Sequence, residues 1–186
     1  MLLLGVLQAQ AAGQVAAGSY DLLETQVLAS SQASVTFSSL SSYAADYQHL
    51  QIRFVSRADA DAGTSYFRFN GDTGSNYAAH RLIGNGSSVG TLATTSSTFG
   101  FSGANQQSAG TTGSFAASVF DILDFGSSAK NKTTRSLGGV PNGSIQISFY
   151  SGVWLNTAAL TSVTLFPNLG NFVTGSRFSL YGIRGG

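Results

Sequence analysis

Apolar and polar residues alternate along most of the chain from residue 20 onward. The stretch HLQIRFVSR shows this most clearly, because Leu50, Ile52 and Phe54 share one parity while Gln51 and Arg53 share the other. A period of two places successive side chains on opposite faces of a β-strand, so one face can be buried while the other meets solvent. The pattern therefore predicts a strand here, with Leu50, Ile52 and Phe54 facing a core.

Similar stretches recur and are separated by clusters of Gly, Asn, Ser and Asp, which favour turns. They are YDLLETQVL, ASVTF, SYFRF, YAAHRLIG, FAASVFDILDF, TTRSLGG, SIQISFYSGVWL, LTSVTLFP and SRFSLYGIR. Helical periodicity is nearly absent, and SSYAADY offers only a turn or two of helix. Many short strands with such punctuation predict an all-β fold, an antiparallel β-sandwich. Residues 84–114 are polar and low in complexity, and they predict either strands with long loops or an exposed excursion ordered by a neighbour. The loops between Gly84 and Gly113 are expected to face solvent or an adjacent copy.

Composition narrows the classes of function. The chain has 186 residues, within the range of one domain, and no cysteine, which excludes disulfides and thiolate chemistry. Charged residues make up 9% of it, against about 25% in typical globular domains. The net charge is +1 and no basic block occurs, so we expect no nucleic-acid partner. A neutral surface of small polar residues over an aromatic and aliphatic core is typical of an extracellular or assembled structural protein.

The first residues, MLLLGVLQAQAAGQVAAGSY, permit two interpretations. One is a secretory signal, but no Lys or Arg occurs before Arg53, and Gly5 and polar residues break the apolar run. The other is a short apolar arm that docks on a neighbouring subunit, and the signal criteria favour it. The run is too short to span a bilayer, so no membrane partner is expected. We divide the chain into an arm, residues 1–18, and a sandwich domain, residues 19–186.

The most polar loop lies in RFNGDTGSNYAAHRL, residues 68–82. Asn70 and Gly71 form the strongest short hairpin signal, because both residues tolerate positive φ. Asp72 and Asn76 can bond to nearby backbone amides as Asx turns do. A calcium loop would require acids at alternate positions and a later Glu, which this stretch lacks. The pattern favours a turn between two strands over a metal site, with a looser cation loop as the alternative.

No other motif predicts catalysis or cofactor binding. His49 and His80 have no partner at metal spacing, and no serine lies in a G-x-S-x-G elbow. Asp121 and Asp124 would fall on opposite faces of one strand, whereas glycosidase acids must face each other across the sugar. These acids, like the pair in RADADAG, are expected to cap turns or lie on the surface. The sequence therefore predicts no enzyme, no metal and no cofactor.

One aromatic pair is the candidate ligand contact. Trp154 follows Tyr150 within SIQISFYSGVWL, and two such rings on a surface would form a platform for sugar. The same residues would equally pack inside a sandwich, and the apolar neighbours favour the core.

Several stretches together resemble a group of virion proteins of tailed phages from marine and freshwater bacteria. They are YDLLETQVL, SVTFSSL, YQHLQIRF, RFNGDTGSNYAAHRL, GSSV, SGVWLNTAALTSVTL and GSRFSLYGI, in the same order and spanning most of residues 20–183. The resemblance implies a jelly-roll-like β-sandwich in the virion, assembled in the bacterial cytoplasm, where cysteine would stay reduced. It assigns no catalytic residues. Its roles are capsid decoration, head fibre or tail-associated protein.

We therefore expect a capsid decoration, cement or head-fibre protein that binds the capsid, other virion proteins and sibling subunits. A homo-oligomer is expected, and a trimer would bury arms and edge strands. Attachment would use the apolar side chains of the arm: Leu2, Leu3, Leu4, Val6 and Leu7. The alternative is a tail-fibre component that binds a receptor or glycan through Trp154, Tyr150 or the loops between Gly84 and Gly113.

Overall fold

The computed structural model describes residues 19–141 and 146–185. Twelve strands account for most of this part of the chain. They are β1 (Tyr20–Val27), β2 (Val35–Phe37), β3 (His49–Ser56), β4 (Thr64–Phe69), β5 (Tyr77–Gly84), β6 (Val89–Ser97), β7 (Gly100–Ala104), β8 (Ala116–Ile122), β9 (Lys132–Val140), β10 (Gln146–Trp154), β11 (Val163–Pro167) and β12 (Arg177–Ile183). A short 3₁₀ helix, Leu40–Tyr43, lies where SSYAADY predicts a helical turn.

The strands form two sheets that pack as an antiparallel β-sandwich, which confirms the predicted fold class. The larger sheet has eight strands in the order β1-β12-β3-β8-β9-β10-β5-β6, and the smaller has four in the order β2-β11-β4-β7. The chain crosses repeatedly from one sheet to the other, a jelly-roll-like path. Within the described residues no helix has both the length and the apolar character needed to cross a membrane.

The core lies between the facing sides of the two sheets. Leu50, Ile52 and Phe54 are buried on β3, as their parity predicts. They meet aromatic side chains from both sheets, among which Phe67 packs against Phe120 with ring centroids 4.7 Å apart. Such rings bury a large area per residue, so one aromatic layer holds the sheets together.

Residues 84–114 contain two strands, β6 and β7, so the prediction of strands with long loops is confirmed rather than the exposed excursion. Strand β6 is largely exposed at the edge of the larger sheet. Every residue of β7 is buried, because this strand of the smaller sheet packs against the larger sheet. Gly100 and Gly103 explain how β7 fits so closely there. A Cβ at Gly100 would lie 2.3 Å from the ring of Phe67, and one at Gly103 would lie 2.5 Å from Oγ of Ser118.

One side chain, that of Arg57, makes several contacts with the polar stretch after β7. The guanidinium of Arg57 donates to four backbone carbonyl groups, at 2.8 Å to Ser108 and to Thr111, 3.0 Å to Gly110 and 3.2 Å to Ser114. Loop carbonyls without a strand partner need donors. Arg57 supplies them and keeps this stretch on the domain.

Candidate functional site

The side of the larger sheet that faces away from the smaller one is here called the outer face. Along one register row it carries Val119, Leu137, Phe149 and Leu82, each directly opposite the next on neighbouring strands. These four side chains are between 37% and 54% exposed. Single exposed apolar residues are common, but a contiguous row is typical of an interaction surface.

A second row beside the first forms a groove. Val55, Ala117, Gly139 and Ile147 lie opposite one another on β3, β8, β9 and β10. Ala117 and Gly139, at the centre of this row, are small residues, whereas the larger side chains of Val119 and Leu137 lie beside them. The resulting cavity also touches Arg177 and has a volume of about 590 Å³, which is within the range of small-molecule pockets. A Cβ at Gly139 would meet only a backbone oxygen at 3.9 Å, so the space above it is open.

A polar ladder borders the apolar rows. The side chain of Gln51 donates to Oδ1 of Asp121 at 2.6 Å, and Arg135 approaches Oδ2 at 2.8 and 3.0 Å. Arg53 in turn donates to Oε1 of Gln51 at 2.7 Å. Asp121 is 7% exposed, so the prediction that this residue caps a turn or lies on the surface is wrong. Two cross-strand partners at the right register bury this carboxylate.

Arg53, a member of the polar ladder, also contacts two tyrosine rings. The guanidinium of Arg53 lies 4.6 Å from the ring centroid of Tyr181 and 5.4 Å from that of Tyr20. Both distances are within cation–π range. Arg53 also lines the groove, so its position, and the shape of this border, depend on the first strand of the sheet.

The Asn70–Asn76 loop forms the predicted turn but not the predicted hairpin. Asn70 and Gly71 have φ of 51° and 68°, and the N–H of Asp72 donates to the carbonyl of Phe69 at 2.8 Å. Positive φ at both central residues is the geometry that Asn-Gly favours. The flanking strands β4 and β5 nevertheless belong to different sheets. The turn redirects the chain across the sandwich.

The polar side chains of this loop bond mainly within the loop and to neighbouring segments. Oδ1 of Asp72 accepts the N–H of Gly74 at 2.7 Å, and Oδ2 accepts Asn76 at 2.9 Å and Trp154 at 2.6 Å. Desolvation is the largest single influence and raises the pKa of Asp72, but these hydrogen bonds together hold that pKa below its ordinary value. Asn70 bonds the backbone around Thr161. Each acceptor therefore has a local structural task.

The candidate sugar platform is inside the protein. Trp154 and Tyr150 are each 1% exposed. The indole packs edge-on to Phe69, at 5.6 Å between centroids, and Tyr150 stacks on Phe101 at 5.1 Å. Neither ring presents a face to solvent, and both lie where the core alternative puts them.

The histidines and the remaining aspartate considered as site residues do not come together in one site. Nδ1 of His49 accepts the N–H of Asp124 at 2.9 Å, whereas His80 is exposed on β5. Asp124 lies beyond the end of β8, which ends at Ile122, and has φ of 50°. In the part of the chain that the structure describes, no three His, Asp or Glu side chains come close enough to hold a metal ion.

The alternation rule missed the outer face because it assigned one parity of each strand to solvent. A signal was nevertheless present in SIQISFYSGVWL, where Ile147 and Phe149 have the parity opposite to Tyr150 and Trp154. Apolar residues at both parities indicate a strand covered on both faces. The predicted attachment residues Leu2, Leu3, Leu4, Val6 and Leu7 lie outside the described residues.

Comparison with known proteins adds no name to this surface. No family model matches the chain, and neither a curated protein nor a solved structure shows significant similarity to it.

Proposed function

We propose that this chain is a structural protein that acts by binding, with the outer face as its interface. The observation that carries the proposal is the contiguous apolar row from Val119 to Leu82 beside an open groove. Covering such a row removes apolar area from water, at about 25 cal/mol for each Å². The row lies on the side of the larger sheet away from the smaller one, and its side chains are 37–54% exposed among the described residues, so it is available to a partner.

The partner class comes from the ordered set of segments that resembles tailed-phage virion proteins. Within that proposal the chain is a capsid decoration, cement or head-fibre protein, assembled in the host cytoplasm and present in the virion. The low content of charged residues supports it, because interface cores are depleted in charge. A glycan-binding role in a tail fibre has less support, since the aromatic pair singled out for it is buried.

The test uses purified particles of the phage that encodes the chain. Leu137→Asp places a charge in the apolar row, and Leu169→Asp places one at a similarly exposed leucine, 58% against 54%, in the turn between β11 and β12. We expect the wild type and Leu169→Asp to be incorporated on the scale of the capsid subunits, and Leu137→Asp to be depleted at least about tenfold.

Two results would contradict the proposal. One is absence of the wild-type chain from washed particles. The other is full incorporation of Leu137→Asp. Circular dichroism of both variants checks that each retains its β fold, so that a loss of incorporation reports on the surface.

A further inference from the structure

We propose that the groove on the outer face binds residues 2–7 of a second copy of this chain, so that copies join head to tail. The inference rests on the proposed function, since it names the partner of the same surface. The observations that carry it are the size and lining of the groove, the composition of residues 2–7, and the place where the chain joins the sheet.

The groove matches residues 2–7 in length and in character. It runs from Arg177 on β12 to Ile147 on β10 and so crosses five neighbouring strands. At the usual strand spacing this is roughly 19 Å, and six residues span at most roughly 20 Å when extended. Residues 2–7, LLLGVL, contain five aliphatic side chains and no charge. An uncharged aliphatic segment suits a groove whose floor is Ala117 and Gly139.

The rim of the groove also suits a neutral segment with free carbonyl groups. Arg53 and Arg177 line it, while the neighbouring carboxylate of Asp121 is already paired with Arg135. Arginine presents several N–H donors in a fixed fork and cannot accept a hydrogen bond. A partner backbone offers carbonyl oxygens to such donors.

The register of β1 bears on whether the groove takes the chain's own residues 2–7 or those of a neighbour. Tyr20 pairs with Ile183, whereas the groove row is level with Val27 and Arg177 at the opposite end of the sheet. The two ends are roughly 20 Å apart at the rise of a β-strand. The carbonyl of Ser19 accepts the N–H of Arg184, which continues the pairing one step further from the groove. The chain thus joins the sheet at the end remote from its own groove. Its own residues 2–7 would have to double back along the sheet to fill that groove, which favours a neighbour's groove.

The test uses full-length protein and one variant of each half of the contact. Gly139→Phe fills the groove, and the open space above Gly139 lets the fold accept it. Gly90→Phe is its matched control, since Gly90 also lies on a strand, has open space around it and does not line the groove. Leu3→Asp with Leu4→Asp disables the segment, and Gln10→Asp is the control outside residues 2–7.

Sedimentation equilibrium measures self-association of each protein alone and of mixtures. We expect the wild type and both controls to associate, and Gly139→Phe and the Leu3/Leu4 variant each to weaken association at least about tenfold. Mixing these two variants pairs an intact segment with an intact groove, so a one-to-one complex should form.

A monomeric wild type would overturn the inference, as would normal association of Gly139→Phe or failure of the mixture to combine. A wild type that associates as described but is absent from particles leaves the inference intact and removes the virion role. Conversely, a chain found on particles that fails the mixing experiment keeps the virion role and loses this partner.

Discussion

Trp154 donates its indole N–H to Oδ2 of Asp72 at 2.6 Å, which anchors a surface turn to the core of the sandwich. The turn precedes β5 and Trp154 ends β10, and these strands pair with Tyr77 opposite Trp154. The hydroxyl of Tyr77 donates to the carbonyl of Asp72 and accepts the N–H of Phe69. Burial raises the pKa of Tyr77 to about 12, so it stays a neutral donor at physiological pH. The crossover between the sheets is thus held at one corner by buried aromatic donors.

Asp72→Ala should destabilise the fold by about 1–3 kcal/mol, because it leaves the buried N–H of Trp154 without its acceptor. It also frees the donors of Gly74 and Asn76. Urea unfolding followed by tryptophan fluorescence measures the change. Asp61→Ala is the control, since Asp61 is exposed and its carboxylate has no hydrogen bond among the described residues. Equal stability of the two variants would contradict the anchoring role.

Stability should fall in acid, and Asp124 should account for part of the loss. Hydrogen bonds from Gln48 and then from Lys130 hold the pKa of Asp124 below its ordinary value of 3.8. Since the folded pKa is the lower one, the unfolded chain binds more protons between the two values. The contribution is therefore present above the unfolded pKa and is lost as pH falls through the folded pKa.

Urea midpoints measured from neutral pH down to about pH 3 test this acid dependence. Asp124→Asn should give a shallower decline below about pH 4, while Asp46→Asn, at an exposed position, should follow the wild type. A wild-type curve that stays flat, or that rises toward acid, contradicts the assigned sign.

Lys132→Met should destabilise the fold even though it keeps most of the apolar stem. Lys132 is fully buried, and its Nζ donates to the carbonyl groups of Ser127 and Lys130 at 2.7 Å and of Thr157 at 3.0 Å. Desolvation lowers the pKa of Lys132, which shows that burying the charge has a cost. We expect a net loss of about 2 kcal/mol, because three carbonyl groups lose a charged donor.

Thermal unfolding compares this variant with Lys130→Met. Lys130 is largely exposed and forms an ion pair with Asp124 at 3.0 Å, so its replacement should cost less than about 1 kcal/mol. A buried-lysine variant as stable as the wild type would show that solvent reaches those carbonyl groups instead.

Two adjacent glycines on β9 should respond oppositely to alanine. A Cβ at Gly138 would lie 2.5 Å from Oγ of Ser118 and 2.7 Å from the backbone nitrogen of Ala104. Gly138→Ala should therefore cost about 1–3 kcal/mol by overpacking. Gly139 faces the open groove, so Gly139→Ala should be neutral or stabilise by up to about 1 kcal/mol.

Chemical denaturation of the two glycine variants provides the comparison. The reverse order of stability, or two equal losses, would mean that β9 does not present these faces to the interior and to solvent. The pair also checks that substitutions at Gly139 act on the groove without unfolding the domain.

The sequence by itself determined the β class, most strand positions and the local turn at Asn70 and Gly71. These follow from a side-chain period of two and from which residues tolerate positive φ, and both properties are local. It also indicated that Leu50, Ile52 and Phe54 face a core, since parity along one strand needs no partner.

Only the tertiary structure decided which sheet each strand joins. It separated β4 from β5 despite a hairpin signal, and it buried β7, whose two glycines allow close approach. It also aligned Val119, Leu137 and Phe149 into one row. Strand pairing depends on contacts between distant residues, whereas alternation within a strand records only that two faces differ. The candidate interface could therefore emerge only once the register across the strands was known.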